Sequence, residues 1–475
     1  MKVEMSKYLV GQKQNLKKIV TDLSKEFKYV SILAVDTKGK KYSVQRSGYN
    51  IGDSTWTERG FVLRVHNGIN YSEYSFNQIG HDLESFIEKL KLELKGSIAA
   101  INTAELSTNS YGIIEEEDLK DSFFSDIEIH PRDVNSKEKI NKLTSIMNQA
   151  LKSSELLVDF RVNYEEVNIS KMFISTKKEL EQSYVWSQGF LIAIVRRDDQ
   201  TKFYYDALAG LKGVELMDEL LSIYDEIVEG ALKLLDAEKI IPGEYDIICA
   251  PDVAGLIAHE AFGHGVEMDM FVKNRAKALE YLNKSVGSKM VSMHDGANAA
   301  YNISSYLFDD EGTLGSDTKV IDQGILKTGI SDVLSAMKLG TNPTGNGKRE
   351  SFERKAYARM TNTFFTGGHD KLEDMIKSID KGYLLEGVMS GMEDPKNWGI
   401  QCMLVQGKEI LDGQLTGKIV SPVIMTGYVP DVLNSIDMVS EEVKIYGTGT
   451  CGKGHKEWVK TADGGPFIKG KGRLG

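Results

Sequence analysis

Residues 251–268 read Pro-Asp-Val-Ala-Gly-Leu-Ile-Ala-His-Glu-Ala-Phe-Gly-His-Gly-Val-Glu-Met, and they hold two of the chain's eight histidines with a glutamate directly after the first. Val253, Leu256 and Ile257 recur at helical spacing after Pro251-Asp252, which predicts a buried helix with Asp252 as its N-cap. An imidazole or carboxylate on such a helix is costly unless it is bonded, paired or metal-bound. The zinc-protease pattern His-Glu-x-x-His sets both rings on one helical face with the glutamate as general base. Here His259, Glu260 and His264 form His-Glu-x-x-x-His. At about 100° per residue, positions i and i+5 stand about 140° apart on a regular helix, too far to share one ion. Two local solutions bring the rings together: a single π-type turn with hydrogen bonds from i to i+5, or a helix end at Gly263 that lets His264 swing back. The ordinary alternative is one packed histidine and one at a helix terminus, and the spacing alone does not decide between them.

Around this stretch, 475 residues provide for two or three domains, and 41% hydrophobic with 27% charged residues is an ordinary globular composition. A net charge of -11 argues against general nucleic-acid binding, which needs a clustered positive face. No run approaches the roughly 18 apolar residues of a membrane helix, and the first residues lack the apolar core of a secretory signal. A cytoplasmic protein is expected. Three cysteines, Cys249, Cys402 and Cys451, are too few and too scattered for a disulfide framework.

Periodicity then predicts a mixture of helices and strands. Helices are expected near 5–27, 82–95, 136–152 and 214–237. Strands are expected as two around the turn Thr37-Lys38-Gly39-Lys40, two around Asn67-Gly68, and four near 155–164, 169–176, 185–197 and 202–209. Residues 103–133 are polar, acidic and aperiodic and read as an exposed connection. The boundary falls at Ile241-Pro242-Gly243, with helices and an antiparallel sheet pattern before it and mainly strands with Gly-rich corners after the His-Glu helix. In the second part a helix is expected at 274–284 and another at 370–379. Asp309-Asp310-Glu311-Gly312 reads as a turn, and 399–446 as strands broken at Gly407-Lys408 and Asp412-Gly413. The basic loop 341–349 lacks the order of a phosphate cradle.

Near the end, Tyr446-Gly447-Thr448-Gly449-Thr450-Cys451-Gly452-Lys453-Gly454-His455 surrounds a cysteine with glycines. Such a backbone can bring a thiolate close to a metal, and two imidazoles plus one thiolate leave the open fourth position of a catalytic zinc. Taken alone, a cysteine in a turn is more often a small apolar residue. Cys249 and Cys402 sit in apolar strand patterns and fit that description.

With these motifs in hand the chain resembles the TldD and PmbA proteins. The likeness rests on His259-Glu260-Ala261-Phe262-Gly263-His264-Gly265 and Gly447-Thr448-Gly449-Thr450-Cys451-Gly452-Lys453. It extends to Asp309-Asp310-Glu311-Gly312, Gly345-Asn346-Gly347-Lys348-Arg349-Glu350-Ser351 and Arg359-Met360-Thr361-Asn362-Thr363, in order along most of the chain. The resemblance implies a cytoplasmic zinc metalloprotease acting on unstructured or small peptides, with His259, His264 and Cys451 as ligands and Glu260 as catalytic base. It also implies an α+β fold, with an N-terminal α+β domain with an antiparallel sheet (1–240) and a C-terminal β-rich domain carrying the metal-site helix (241–475), and a dimer enclosing the site, formed with itself or with a paralogue lacking the His-Glu motif. Arg359 and His455 are candidate substrate-binding residues. Two other classes stay open: a regulatory peptide-binding protein with a structural zinc, and a non-peptide amide hydrolase.

Overall fold

The computed structural model describes residues 1–103, 110–454 and 457–475. Its first helix, Lys7–Leu23, is capped by the Ser6 hydroxyl, which accepts from the Leu9 amide, and buries Leu9, Leu16, Ile19, Val20 and Leu23. That face packs on an eight-stranded sheet in which Tyr71–Phe76, Glu58–His66, Val30–Gln45, Leu157–Ser175, Lys178–Arg197 and Leu119–Phe124 lie side by side in this order. Gly48–Asp53 pairs with Val30–Gln45, and Gln200–Gly210 with Lys178–Arg197. All these pairings are antiparallel except that of Leu119–Phe124, which joins Lys178–Arg197 in parallel. Ser136–Ala150 and Leu216–Lys233 cover the other end of the sheet around Phe160, Leu191 and Leu220.

The expected turn at Thr37-Lys38-Gly39-Lys40 is absent, because these residues run through the middle of Val30–Gln45. An unbroken ladder from Ser31↔Ser175 to Val44↔Val162 carries both strands past their polar centres. Residues 155–176, expected as two strands, are likewise the single strand Leu157–Ser175. Gly39 marks a close approach instead of a turn, since a Cβ there would stand 2.7 Å from Ser54 Cβ and 2.8 Å from Val167 Cγ2. The Asn67-Gly68 corner does join two strands, with Gly68 at φ +99°. Within the acidic connection, Leu119–Phe124 forms a strand that the aperiodic sequence gave no reason to expect.

After residue 242 the chain builds a second group of sheets. Lys381–Asp394, Gly243–Cys249, Ile468–Leu474, Val423–Tyr428 and Gly399–Leu411 pair in succession, and Gly399–Leu411 pairs back onto Lys381–Asp394 to close a ring. A smaller sheet runs Ile325–Leu326, Thr318–Asp322, Met293–Asp295, Asn362–Phe365, Ala462–Gly465 and Lys444–Tyr446. The helix Pro251–Ile257 lies between the two groups. A side chain on Gly255 would strike the Gly464 amide at 2.5 Å, and one on Gly391 would strike Leu256 Cδ1 at 2.7 Å.

Asp252 is not the N-cap. Ala250 holds that position, and Asp252 Oδ2 accepts from the Gly387 amide at 2.8 Å, tying the helix to the neighbouring strand. Residues 274–284 contain only the short 3-10 turn Lys277–Tyr281, and Val429–Ser435 is a helix inside a run expected to be all strand. Gly399–Leu411 passes Gly407-Lys408 unbroken, whereas Asp412 and Gly413, both at positive φ, do make the corner. Among the described residues no helix is long and apolar enough to cross a membrane.

Candidate metal centre

The helix begun at Pro251 widens at Ala258–Gly263 into a π-turn, in which the His264 amide bonds to the His259 carbonyl five residues back. Of the two local solutions open to the sequence, this is the one the chain adopts. Gly263 sits against Met360, whose Sδ would be 2.0 Å from a Cβ at that position, so only glycine fits the wide turn here. The result sets the two rings edge to face, with centroids 5.3 Å apart.

Cys451 comes to them from the far end of the chain on the hairpin Thr450–Lys453/Glu457–Lys460. Its sulfur lies 3.4 Å from His264 Nε2, and one ligand atom from each of His259, His264 and Cys451 falls within 4.8 Å of the others. In both imidazoles the Nδ1 edge faces a carboxylate. His259 Nδ1 stands 3.5 Å from Asp463 Oδ2 and makes no hydrogen bond, and His264 Nδ1 stands 3.4 Å from Glu267 Oε2. This arrangement of carboxylate, imidazole and a shared inner point is how metal-binding histidines are oriented.

Charge in the cluster is strongly biased. Burial disfavours a charged His259, yet the Cys451 thiolate outweighs it and raises the imidazole to about 9. His264 is raised well above the ordinary range, with burial opposed by its bonds to Cys451 and Glu267. Burial would lift the Cys451 thiol, but the imidazoles hold it well below its usual value, which favours the thiolate that binds metals. Cys249 and Cys402 behave in the opposite way, both pushed up by burial among apolar neighbours.

Glu267 is the hub beneath the cluster. Burial would raise its pKa, but Lys453, His264 and Arg359 bring it down to about 2. Lys453 Nζ bonds Glu267 at 3.0 Å, Asp269 at 2.6 Å and the Ala358 carbonyl at 3.1 Å. Arg359, a candidate for touching substrate, is instead only 1% exposed, and it donates to the carbonyls of Cys451 at 2.8 Å and Glu457 at 2.7 Å. It stands beside Glu267 at 3.6 Å and fixes both strands of the cysteine hairpin. His455, the other candidate, lies outside the described residues. Sequence reasoning missed Glu267, although a glutamate three residues after His264 on a buried helix was a usable signal. Nothing in the sequence pointed to Asp463.

Glu260 is not part of the three-ligand group. Its side chain lines a cavity of about 670 Å³ together with His259 and Asp463. The floor comes from the C-terminal half, and Tyr204, Asp206 and Glu226 of the N-terminal half form a further wall.

Residues 242–462 match the PmbA/TldA metallopeptidase C-terminal domain. A metalloprotease of Methanocaldococcus jannaschii is 28% identical over 72% of this chain and 74% of its own length. A zinc metalloprotease TldD homolog of Saccharolobus solfataricus is 27% identical over 71% of this chain and 75% of its own. Among solved structures, a Thermotoga maritima protein described as a candidate DNA gyrase modulator superposes with a TM-score of 0.78 at 19% identity, covering 97% of this chain and 100% of the other. TldE from Thermococcus kodakarensis superposes with a TM-score of 0.73 at 17% identity, covering 97% and 99%. The α+β fold is therefore shared along nearly the whole chain, and in sequence the chain is similar to metalloproteases of the TldD type.

Proposed function

We propose that this chain is a zinc-dependent metallopeptidase that hydrolyses peptide bonds in unstructured or small peptides, with His259, His264 and Cys451 as ligands and Glu260 as catalytic base. The observation that carries the proposal is the convergence of two imidazoles and a thiolate within 4.8 Å, next in sequence to a glutamate that lines one cavity with His259. The donor set suits zinc. Typical zinc–sulfur and zinc–nitrogen bonds at a tetrahedral angle separate the two donor atoms by about 3.6 Å, and Cys451 Sγ lies 3.4 Å from His264 Nε2. Three protein donors also leave the fourth position that a catalytic site requires.

Held by His259, His264 and Cys451, a zinc ion would supply Lewis acidity toward the scissile carbonyl and toward water. Glu260 takes the proton of the attacking water and returns it to the leaving amine. Glu267 holds the His264 imidazole by its Nδ1 edge, Asp463 stands 3.5 Å from the Nδ1 edge of His259, and Arg359 holds the thiolate strand by the Cys451 carbonyl. The strand Lys444–Tyr446 ends the smaller sheet, and Lys444 and Tyr446 line the cavity, so an extended peptide added at that edge would run past Glu260. The division at 240/241 into an α+β and a β-rich domain, a cytoplasmic location, and a dimer with itself or with a paralogue lacking the His-Glu motif belong to the same proposal.

Replacing Glu260 with Gln tests it. The expected result is unchanged zinc content with peptide cleavage reduced at least ~10³-fold, in line with the loss of a general base. Persistent cleavage removes Glu260 from the mechanism. Unfolding of the chain on metal removal would instead favour a structural ion in a binding protein, and turnover of small amides but not peptides would favour an amide hydrolase.

A further inference from the structure

The wall of the cavity away from the three ligands is negatively charged and only partly neutralised. Lys233 pairs with Glu229 at 2.6 Å, and Lys408 with Glu386 at 2.7 Å. Asp206, Glu226 and Asp252 line the same space and form no ion pair among the described residues. Asp206 and Glu226 come from the N-terminal half, on Gln200–Gly210 and Leu216–Lys233, and Asp252 comes from the metal-site helix.

An independent observation points to an absent donor. Gln406 lines this wall, is only 4% exposed, and gives its amide to Glu386 at 3.1 Å, while its carbonyl oxygen Oε1 is buried with no hydrogen-bond partner. A buried acceptor without a donor costs about 1–3 kcal/mol unless something supplies one. The phenols of Tyr204 and Tyr446 stand in the same field. Burial and then Glu386 push Tyr204 well up, and burial and then Asp252 push Tyr446 well up. Each of these groups accepts hydrogen bonds, carries negative charge or presents an aromatic face, and a cation satisfies all three kinds.

We infer that this wall is a subsite for a positively charged group of the substrate, an ammonium or guanidinium close to the scissile bond, carried by a lysine or arginine side chain or by a free α-amine. The inference rests on the hydrolase proposal and adds a substrate class to it. The unpaired carboxylates raise the local concentration of cationic peptides and penalise anionic ones, an effect that salt weakens. The N-terminal half thereby takes part in choosing substrate.

The test uses internally quenched peptides differing only in Lys, Leu or Glu at one position beside the scissile bond, each with a free and an acetylated N-terminus, on the zinc-loaded full-length chain. The Lys peptide is expected to exceed Leu by about tenfold in kcat/KM and Glu by more, with the ratio shrinking toward unity in 0.5 M salt, roughly the screening range of exposed charges. The double variant D206N/E226Q, checked for folding by its melting temperature, should bring the Lys-to-Leu ratio to within about twofold. A Lys preference that survives acetylation assigns the cation to the side chain; similar rates that fall together on acetylation assign it to the α-amine. Equal rates for Lys, Leu and Glu that acetylation leaves unchanged overturn the subsite and leave the hydrolase standing. Cleavage of none of them overturns the hydrolase, and anisotropy titrations with the same labelled peptides then read the subsite alone. Tighter binding of the Lys than the Glu peptide supports it, and equal binding overturns it.

Discussion

Two buried polar clusters tie distant parts of this chain together, and they differ in a way burial does not reveal. One is the metal centre. The other is formed by Asp309-Asp310-Glu311-Gly312, which inserts into the N-terminal sheet. There Arg64 meets Glu311 at 2.6 Å and Glu73 at 3.1 Å, Arg349 meets Glu73 at 2.5 Å, and Lys171 pairs with Asp310. Asp309 accepts from the amides of Glu311, Thr313 and Gly347 at 2.8 to 3.0 Å. In this latch each side-chain charge faces an opposite charge or a bonded amide. At the metal centre two imidazoles and a thiolate, all three able to donate to a metal, bring these atoms within 4.8 Å of one another, and Asp463 and Glu267 face the outer Nδ1 edges. Convergence of like donors marks the reactive cluster, and mutual neutralisation marks the structural one.

Cys451→Ala and Arg64→Met separate the two most sharply. Removing the thiolate should abolish zinc retention and cut peptide cleavage at least ~10³-fold, while the melting temperature of the metal-free chain falls less than in Arg64→Met, because the imidazoles can release the protons that the thiolate favours. Removing the guanidinium leaves Glu311 buried without its partner and should cost about 3–5 kcal/mol in urea unfolding. The fraction still folded should bind zinc one to one, as measured by metal analysis after gel filtration. Should R64M lose zinc while keeping its stability, the latch and the centre are not separate devices.

The same contrast explains what the sequence disclosed. The odd spacing of His259 and His264 showed what a shared ion would demand, a helix that widens or ends, because helical periodicity is a local property that five residues determine. The hairpin at Asn67-Gly68 was legible for the same reason. The unbroken strand Val30–Gln45 was not, since what carries it through Thr37-Lys38-Gly39-Lys40 is a ladder to residues more than a hundred positions away. Asp309-Asp310-Glu311-Gly312 reads locally as a turn, and Gly312 does adopt φ +76°. Its partners Arg64, Glu73 and Lys171 lie in another part of the chain, so its role as a latch is invisible without the fold. Arg359 was misleading in a different way. An arginine near a motif suggests contact with substrate, whereas this one spends its donors on the backbone of the cysteine hairpin.

An effect of intermediate size is expected at Gly391, on the strand beside the metal-site helix. A Cβ there would stand 2.5 Å from Glu260 Cγ, so the glycine makes room for the carboxylate. Gly391→Ala should displace Glu260 without touching a ligand. Cleavage should fall about ten- to a hundredfold in kcat, since small misplacements of a catalytic group cost that much, with zinc content and the melting temperature of the holoprotein little altered. Loss of zinc in this variant would mean that the strand supports the ligands and not the base.

The smallest effect belongs to the latch and is read through pH. Glu58 lies at its edge, accepts from the Phe352 amide at 2.9 Å, and is lifted by burial to about 7. A carboxyl whose folded pKa exceeds its unfolded value binds more protons in the folded state between the two values. Its contribution is complete below about 4.5 and is lost as pH rises to about 7. Glu58→Gln keeps an oxygen for the Phe352 amide and removes the ionisation. The variant should therefore match the parent in urea unfolding at pH 4.5 and exceed it by on the order of 1 kcal/mol at pH 8. Other carboxylates titrate over the same interval in both proteins, so the difference between the two pH profiles carries the test. A parallel offset at all pH values would trace the effect to packing at the latch, whereas a gap that opens only above pH 5 traces it to the buried charge.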